Sequence, residues 1–333
     1  QNTLIGGSAG DALTDADFNT AVGFQALTSD TLGSNSTAIG REALNNQNFT
    51  TATDSHNVAV GFQSGRSVTT GIENIIIGSQ AGDALTDADR NVVIGKNALT
   101  DDTLGSKTVA IGFGCLENQN FTTATASHNT AVGYSTGAAL TTGRLNTLIG
   151  SEVGDALTDA DKNTAIGYTA LTTDTLGSQS VAVGYQALFS QNFTTATNSN
   201  NVAVGYNAGS QITTGTNNTL LGSGAGDSIT DDANNTAVGY GSLSANGGNS
   251  NTAIGYIALE DVTGSNCTAV GQSAGKDVNS GSNNSFLGAD SGRTGSPGGA
   301  ITSASNTIVL GDENVSACHI QTDWTVASDQ RDK

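Results

Sequence analysis

The 333-residue chain carries 11 Lys and Arg against 30 Asp and Glu, a net charge of −19, with only 12% of residues charged. That balance excludes a phosphate-backbone partner, which needs Lys and Arg, and reads as a solubilising surface. Three cysteines, Cys115, Cys267 and Cys318, show no metal or redox spacing, and no run of 18 apolar residues offers a membrane span.

From Asn2 onward one phrase recurs eighteen times: Asn-Thr-Ala-Val-Gly and its variants, with Gly at 6, 23, 40, 61, 78, 95, 112, 133, 150, 167, 184, 205, 222, 239, 255, 271, 288 and 311. The steps run 17, 17, 21 and 17, a 72-residue cycle that holds phase for three copies. A fixed period of this size marks a solenoid. Thr, Val, Ile, Asn and Gly dominate, which predicts short strands joined by tight turns. The predicted fold is all-β, an elongated parallel β-solenoid or β-roll. Eighteen coils at ~4.8 Å each predict a rod of roughly 80–90 Å. The expected organisation is a repeat shaft over 1–288, a C-terminal cap or transition over 289–327, and a distinct short segment over 328–333. Gln1 falls inside a repeat phrase, which predicts that further chain precedes it.

Within the unit Asn19 to Leu27, Thr20 and Val22 share one strand face, and Ala21 and Gly23 the other. The Val22 slot is always Val, Ile or Leu in the inner copies (Ile39, Val60, Ile77, Ile94), so it is expected in the core. The small Ala21 and Gly23 slots permit close approach of another backbone, as in contact with sister chains. A positive φ required at the Gly explains it equally well. The next slot holds Phe24, Arg41, Phe62, Ser79, Lys96, Phe113, Tyr134, Ser151, Tyr168, Tyr185, Tyr206, Ser223, Tyr240 and Tyr256, so that from Tyr168 to Tyr256 only Ser223 breaks a run of Tyr. A position accepting Arg, Ser and Tyr is a rim position. Its five late tyrosines are candidate sugar- or receptor-binding residues, with stacking between adjacent coils as the competing role.

Two connectors stand out. An acidic one holds Asp11, Asp15 and Asp17, then Asp83, Asp87 and Asp89, then Asp155, Asp159 and Asp161. Three carboxylates make Asp83, Asp87 and Asp89 weak candidates for Ca²⁺, although the Gly-punctuated ligand spacing of calcium loops is missing. No other cofactor is expected. A longer connector, Asn48 to Thr53, returns at Asn120 and Asn192 and supplies the extra residues of the 21-residue step. Being longer it is expected to protrude, which favours a binding role. Phe49, Phe121 and Phe193 are its candidate binding residues, or else its anchors.

No catalytic grouping stands out, and the chain is read as a non-enzyme. His56 and His128 are equivalent, but the third copy has Asn200. The drifting cysteines are expected to be free and buried.

After Gly288 the register loosens, and the chain ends Ala327-Ser328-Asp329-Gln330-Arg331-Asp332-Lys333. Ser-Asp-x-Arg-x-Lys after a short β segment resembles the entry to the self-cleaving intramolecular chaperone of phage tail fibres, tailspikes and endosialidases. The resemblance matches Ser328 to the Ser at the cleavage point and Lys333 to its partner Lys. The chaperone body itself is absent from this sequence, so neither is assigned as catalytic here. The repeat phrases Asn57 to Gly61 and Ser180 to Gly184 resemble the heads of trimeric autotransporter adhesins, parallel β-rolls of three chains. These resemblances imply a homotrimeric viral tail fibre on the virion surface, hence extracellular, joined through its N-terminal side to other virion proteins. It would bind a host glycan or protein receptor multivalently, without nucleic acid or membrane insertion. The alternatives are a bacterial trimeric surface adhesin and a polysaccharide-degrading tailspike.

Overall fold

A computed structural model describes residues 1–317. There is no helix among them, and eighteen short parallel strands form one continuous sheet. Each repeat phrase supplies one strand. Thr3–Ile5 pairs in register with Thr20–Val22, which pairs with Thr37–Ile39, and so on along the chain. The chain is therefore a repetitive parallel β-solenoid. The stack does not stop at Gly288: Ile308–Leu310 pairs with Ser285–Leu287 as the last strand of the sheet. Residues 289–307 are one long connector, so the shaft continues past the boundary expected from the lost register.

The two faces of the strand are opposite to the expectation. Ala21, Ala38, Ala59, Ala110 and Ala131 are fully buried, whereas Ile39 and Ile77 are 39% and 37% exposed. The Val22 slot thus lines the outside of the rod, and the Ala21 slot points into the coil. The reason is volume. A coil of 17 residues is thin, and its interior is filled from the turn by Leu27, Leu44, Leu99, Leu116, Leu171 and Leu188. Opposite such a Leu only a methyl fits at the strand centre in most coils.

The same volume rule shapes the 72-residue cycle. Where the turn position is Gly instead of Leu, as at Gly82 and Gly154, a Leu three residues later (Leu85, Leu157) fills the core. The coil of the acidic connector also carries a larger strand centre: Ile76, Leu148 and Leu220. A Cβ on Gly82 would press on Leu85 Cδ1 at 2.9 Å. Core density is thereby kept while the source of each side chain alternates.

The Gly closing each strand answers both requirements. Gly23 has φ +141°, a region that side-chain-bearing residues avoid. A Cβ there would collide with the carbonyl of Gly40 in the next coil. The close approach is between coils of one chain.

Candidate functional site

Buried polar side chains build the frame on which the surface sits. The first residue of most phrases is Asn, buried from Asn19 to Asn284, with Ser36, Thr108, Ser180 and Cys267 in its place in four coils, and the Asn side chains form a ladder. The backbone N–H of Asn74 donates to Oδ1 of Asn57 at 2.9 Å, and that of Asn91 to Oδ1 of Asn74 at 2.9 Å. Each amide also donates forward, Asn74 Nδ2 to the Ala88 carbonyl at 2.7 Å. Buried polar groups persist only when bonded in this way.

A second buried network recurs three times and ties down the long connector. Asp102 Oδ1 accepts from the backbone N–H groups of Gly105 and Phe121, at 3.0 Å each, while Oδ2 accepts from Gln119 Nε2 at 2.7 Å. Gln119 Oε1 accepts from Asn129 Nδ2 at 2.8 Å. Asp30 with Gln47 and Asn57, and Asp174 with Gln191 and Asn201, repeat it. Burial pushes the Asp102 carboxyl up from its ordinary value, opposed by the bonds from Gln119 and the backbone. Phe49, Phe121 and Phe193 sit over these aspartates and are only 5–6% exposed. They are anchors. Their burial removes them as direct contacts for a receptor, since nothing of their rings is presented outward.

The acidic candidates do not gather. Asp87 accepts from Thr70 Oγ1 at 2.7 Å and Asp89 from the Ile72 backbone at 2.9 Å, both one coil back. Asp83 lies partly buried, and burial raises its carboxyl pKa. Among the described residues no three His, Cys, Asp or Glu side chains form a metal-sized group. The Asp87 and Asp89 carboxylates brace neighbouring coils, whereas Asp83 Oδ1 has no partner. His56 and His128 occupy a corner with φ of 50° and 52°, which Asn200 also adopts at φ 50°. That corner follows the backbone shape and tolerates Arg90 and Lys107 as well, which accounts for the drift in residue type. Cys115 and Cys267 are buried free thiols, and burial pushes Cys115 up to about 12. Cys318, Ser328 and Lys333 lie outside the described residues.

The rim slot forms an external aromatic ladder. Tyr168, Tyr185 and Tyr206 stack in succession, with ring centroids 5.8 and 5.1 Å apart. Phe113 stacks on Tyr134 at 5.5 Å and Tyr240 on Tyr256 at 5.5 Å. Arg41 lies over Phe62 and Lys96 over Phe113. The rings pack on neighbouring coils and remain open to solvent: Tyr206 is 57% and Tyr240 59% exposed. Both roles weighed for this slot are thus compatible. Beside the ladder runs the Val22 column, an exposed aliphatic ribbon that includes Ile5, Ile39, Ile77, Ile149, Leu221, Ile254 and Leu287. The sequence reading missed this ribbon as a surface, although its unbroken aliphatic character was visible.

No protein-family model matches the chain, and comparison with curated proteins finds no match.

Proposed function

We propose that this chain is a structural fibre, a phage tail fibre in the reading that the Ser328 to Lys333 resemblance favours, which carries repeated low-affinity contacts to a host surface. The observation that carries the proposal is the aromatic ladder displayed along one edge of a single continuous sheet. A rod multiplies weak sites by holding them in fixed geometry, so that avidity exceeds single-site affinity. The fibre is proposed to be a homotrimer. The exposed aliphatic ribbon is the face that sister chains would cover, since contiguous apolar surface of this extent marks an association site. On this proposal the contact between sister chains would use the Val22 face, not the Ala21 face.

Binding of fluorescently labelled protein to a panel of whole bacterial cells tests the proposal, with periodate-treated cells as the glycan-depleted control. Retention that periodate abolishes supports a glycan receptor, and retention that survives it supports a protein receptor. Absence of retention on every strain overturns the attachment role.

A further inference from the structure

The aromatic ladder is interrupted at a fixed place in the cycle. Ser151 stands between Tyr134 and Tyr168, and Ser223 between Tyr206 and Tyr240. Stacked neighbours elsewhere in the ladder are 5.1–5.8 Å apart. Across a missing ring the flanking residues are two coils apart, about 9–10 Å by strand spacing. That is the width needed for one flat ring between two others. At Ser223 the notch is a groove of 310 Å³ lined by Tyr206, Asn207, Ser223, Asp227, Tyr240 and Glu260, among others.

The groove also carries unmet hydrogen-bond demand. Asp227 Oδ1 and Asn207 Oδ1 are both buried acceptors with no partner. An unpartnered buried acceptor is costly, and rotation of the Asp227 side chain, which lines the groove, would turn that oxygen toward a ligand that brings donors. Asp83 and Asp155, four residues after Ser79 and Ser151 as Asp227 is after Ser223, have the same unpartnered Oδ1, so this acceptor belongs to every Ser-bearing coil and the pair of flanking rings singles out Ser151 and Ser223. Burial holds the carboxyls of Asp155 and Asp227 above their ordinary value. Glu260 is paired with Lys276 at 2.6 Å. No cation lines the Ser223 groove, which disfavours an acidic sugar.

We infer that the notches at Ser151 and Ser223 are subsites for a neutral pyranose ring, which slides between the flanking tyrosines and donates its hydroxyls to Asp155 or Asp227. The inference rests on the proposed attachment role and specifies where on the ladder a glycan would sit. Stacking of a sugar face on an aromatic ring combines apolar burial with a rim of hydroxyl donors. From Tyr134 to Tyr256 the remaining ladder positions are occupied by rings and offer only an edge, and the third Ser, Ser79, lies between Phe62 and Lys96 and so lacks a second flanking ring.

The decisive variant is S151Y/S223Y, which fills both notches with the residue already found at Tyr168, Tyr206 and Tyr240, so the fold tolerates it. Saturation-transfer difference NMR would use the methyl pyranosides of glucose, galactose, mannose and N-acetylglucosamine at millimolar concentration. The expected result is transfer to at least one of them in the unmodified chain, lost in S151Y/S223Y and reduced several-fold in D155A/D227A. Equal transfer in S151Y/S223Y would overturn the notch assignment. So would absence of transfer to any of the four. Cell retention, measured on the same two proteins, separates the two proposals. If S151Y/S223Y is retained as well as the unmodified chain, attachment stands and the notches are not its site.

Discussion

Gln119 donates from Nε2 to Oδ2 of Asp102 at 2.7 Å, and both side chains are fully buried. The bond has a fixed direction, because Gln119 Oε1 is already committed to Asn129 Nδ2. Substituting Asp102→Asn sets an amide N–H₂ against another donor, and flipping Gln119 only moves the conflict to Asn129. The expected cost is about 1–3 kcal/mol, that of one unmet buried group. Urea unfolding followed by circular dichroism reads it, and limited proteolysis should show earlier cleavage in the 120–125 connector. An unchanged urea midpoint would remove the network from the account of stability.

The Asn ladder makes a parallel prediction for the shaft. Asn74→Ala strands the N–H of Asn91 and the carbonyl of Ala88. Two orphaned backbone groups should cost more than the Asp102 change, about 2–4 kcal/mol by the same desolvation argument. Asn74→Asp keeps the acceptor for Asn91 but sets a buried carboxylate oxygen against the Ala88 carbonyl, so it should cost at least as much as Asn74→Ala.

Volume complementarity in the core predicts a rescue. A Leu at position 82 matches Leu27 and Leu99, which take the same left-handed conformation at φ 51° and 50°. Backbone strain is therefore no obstacle, and the obstacle is Leu85. Gly82→Leu should destabilise by about 1–3 kcal/mol through overpacking, and Leu85→Ala should recover part of that loss in the double variant. Additive losses in the double-mutant cycle would show that the two positions do not share one space.

The inverted strand faces separate two kinds of substitution. I39K/I77K/I149K places charge on the outer ribbon and should leave the circular dichroism spectrum unchanged while dissociating the proposed trimer, read by light scattering. Ala59→Leu, pointing inward, should unfold local coils and abolish cooperative melting. A monomer in the unmodified protein would sink the trimer proposal.

Acid should stabilise this protein over a defined range. Burial raises the carboxyl pKa values of Asp83, Asp155 and Asp227 in the folded chain. The native state then binds protons at a pH where the unfolded state, at ~3.9 for Asp, does not. Stability therefore rises as pH falls from the raised values toward ~3.9, and gains nothing further below it. D83N/D155N/D227N should flatten this rise in a series of urea midpoints between pH 7 and pH 4. An identical slope in the variant would move the effect to the other raised carboxyls, Asp102 and Asp232, or to the net charge of −19.

Periodicity made the sheet readable, since the Gly spacing sets the coil and the coil sets the strand order. Strand phase was not readable by the same means. Alternation separates Thr20 and Val22 from Ala21, but cannot say which side is inside. Apolar preference put Val22 inward, whereas the bulk of Leu27 left room only for Ala21. The buried network carried a signal that composition hid: Asp102, Gln119 and Asn129 recur unchanged from Asp30, Gln47 and Asn57, while the exposed corner at His56 drifts. The Tyr slot was legible as a rim, and its notches were legible as Ser. That a Ser leaves a space of ring width needed the stacking distances.

In-frame duplication or deletion of one 72-residue stretch would keep every register, because the core and the ladder close on themselves at that interval. Four coils correspond to about 19 Å at strand spacing. Unequal crossing-over between the repeated segments would thus lengthen or shorten the shaft by that increment and carry one Ser-Asp pair with it. Reach and valency are coupled by the geometry of the stack, so this lineage could tune both in a single genetic step without passing through a misfolded intermediate.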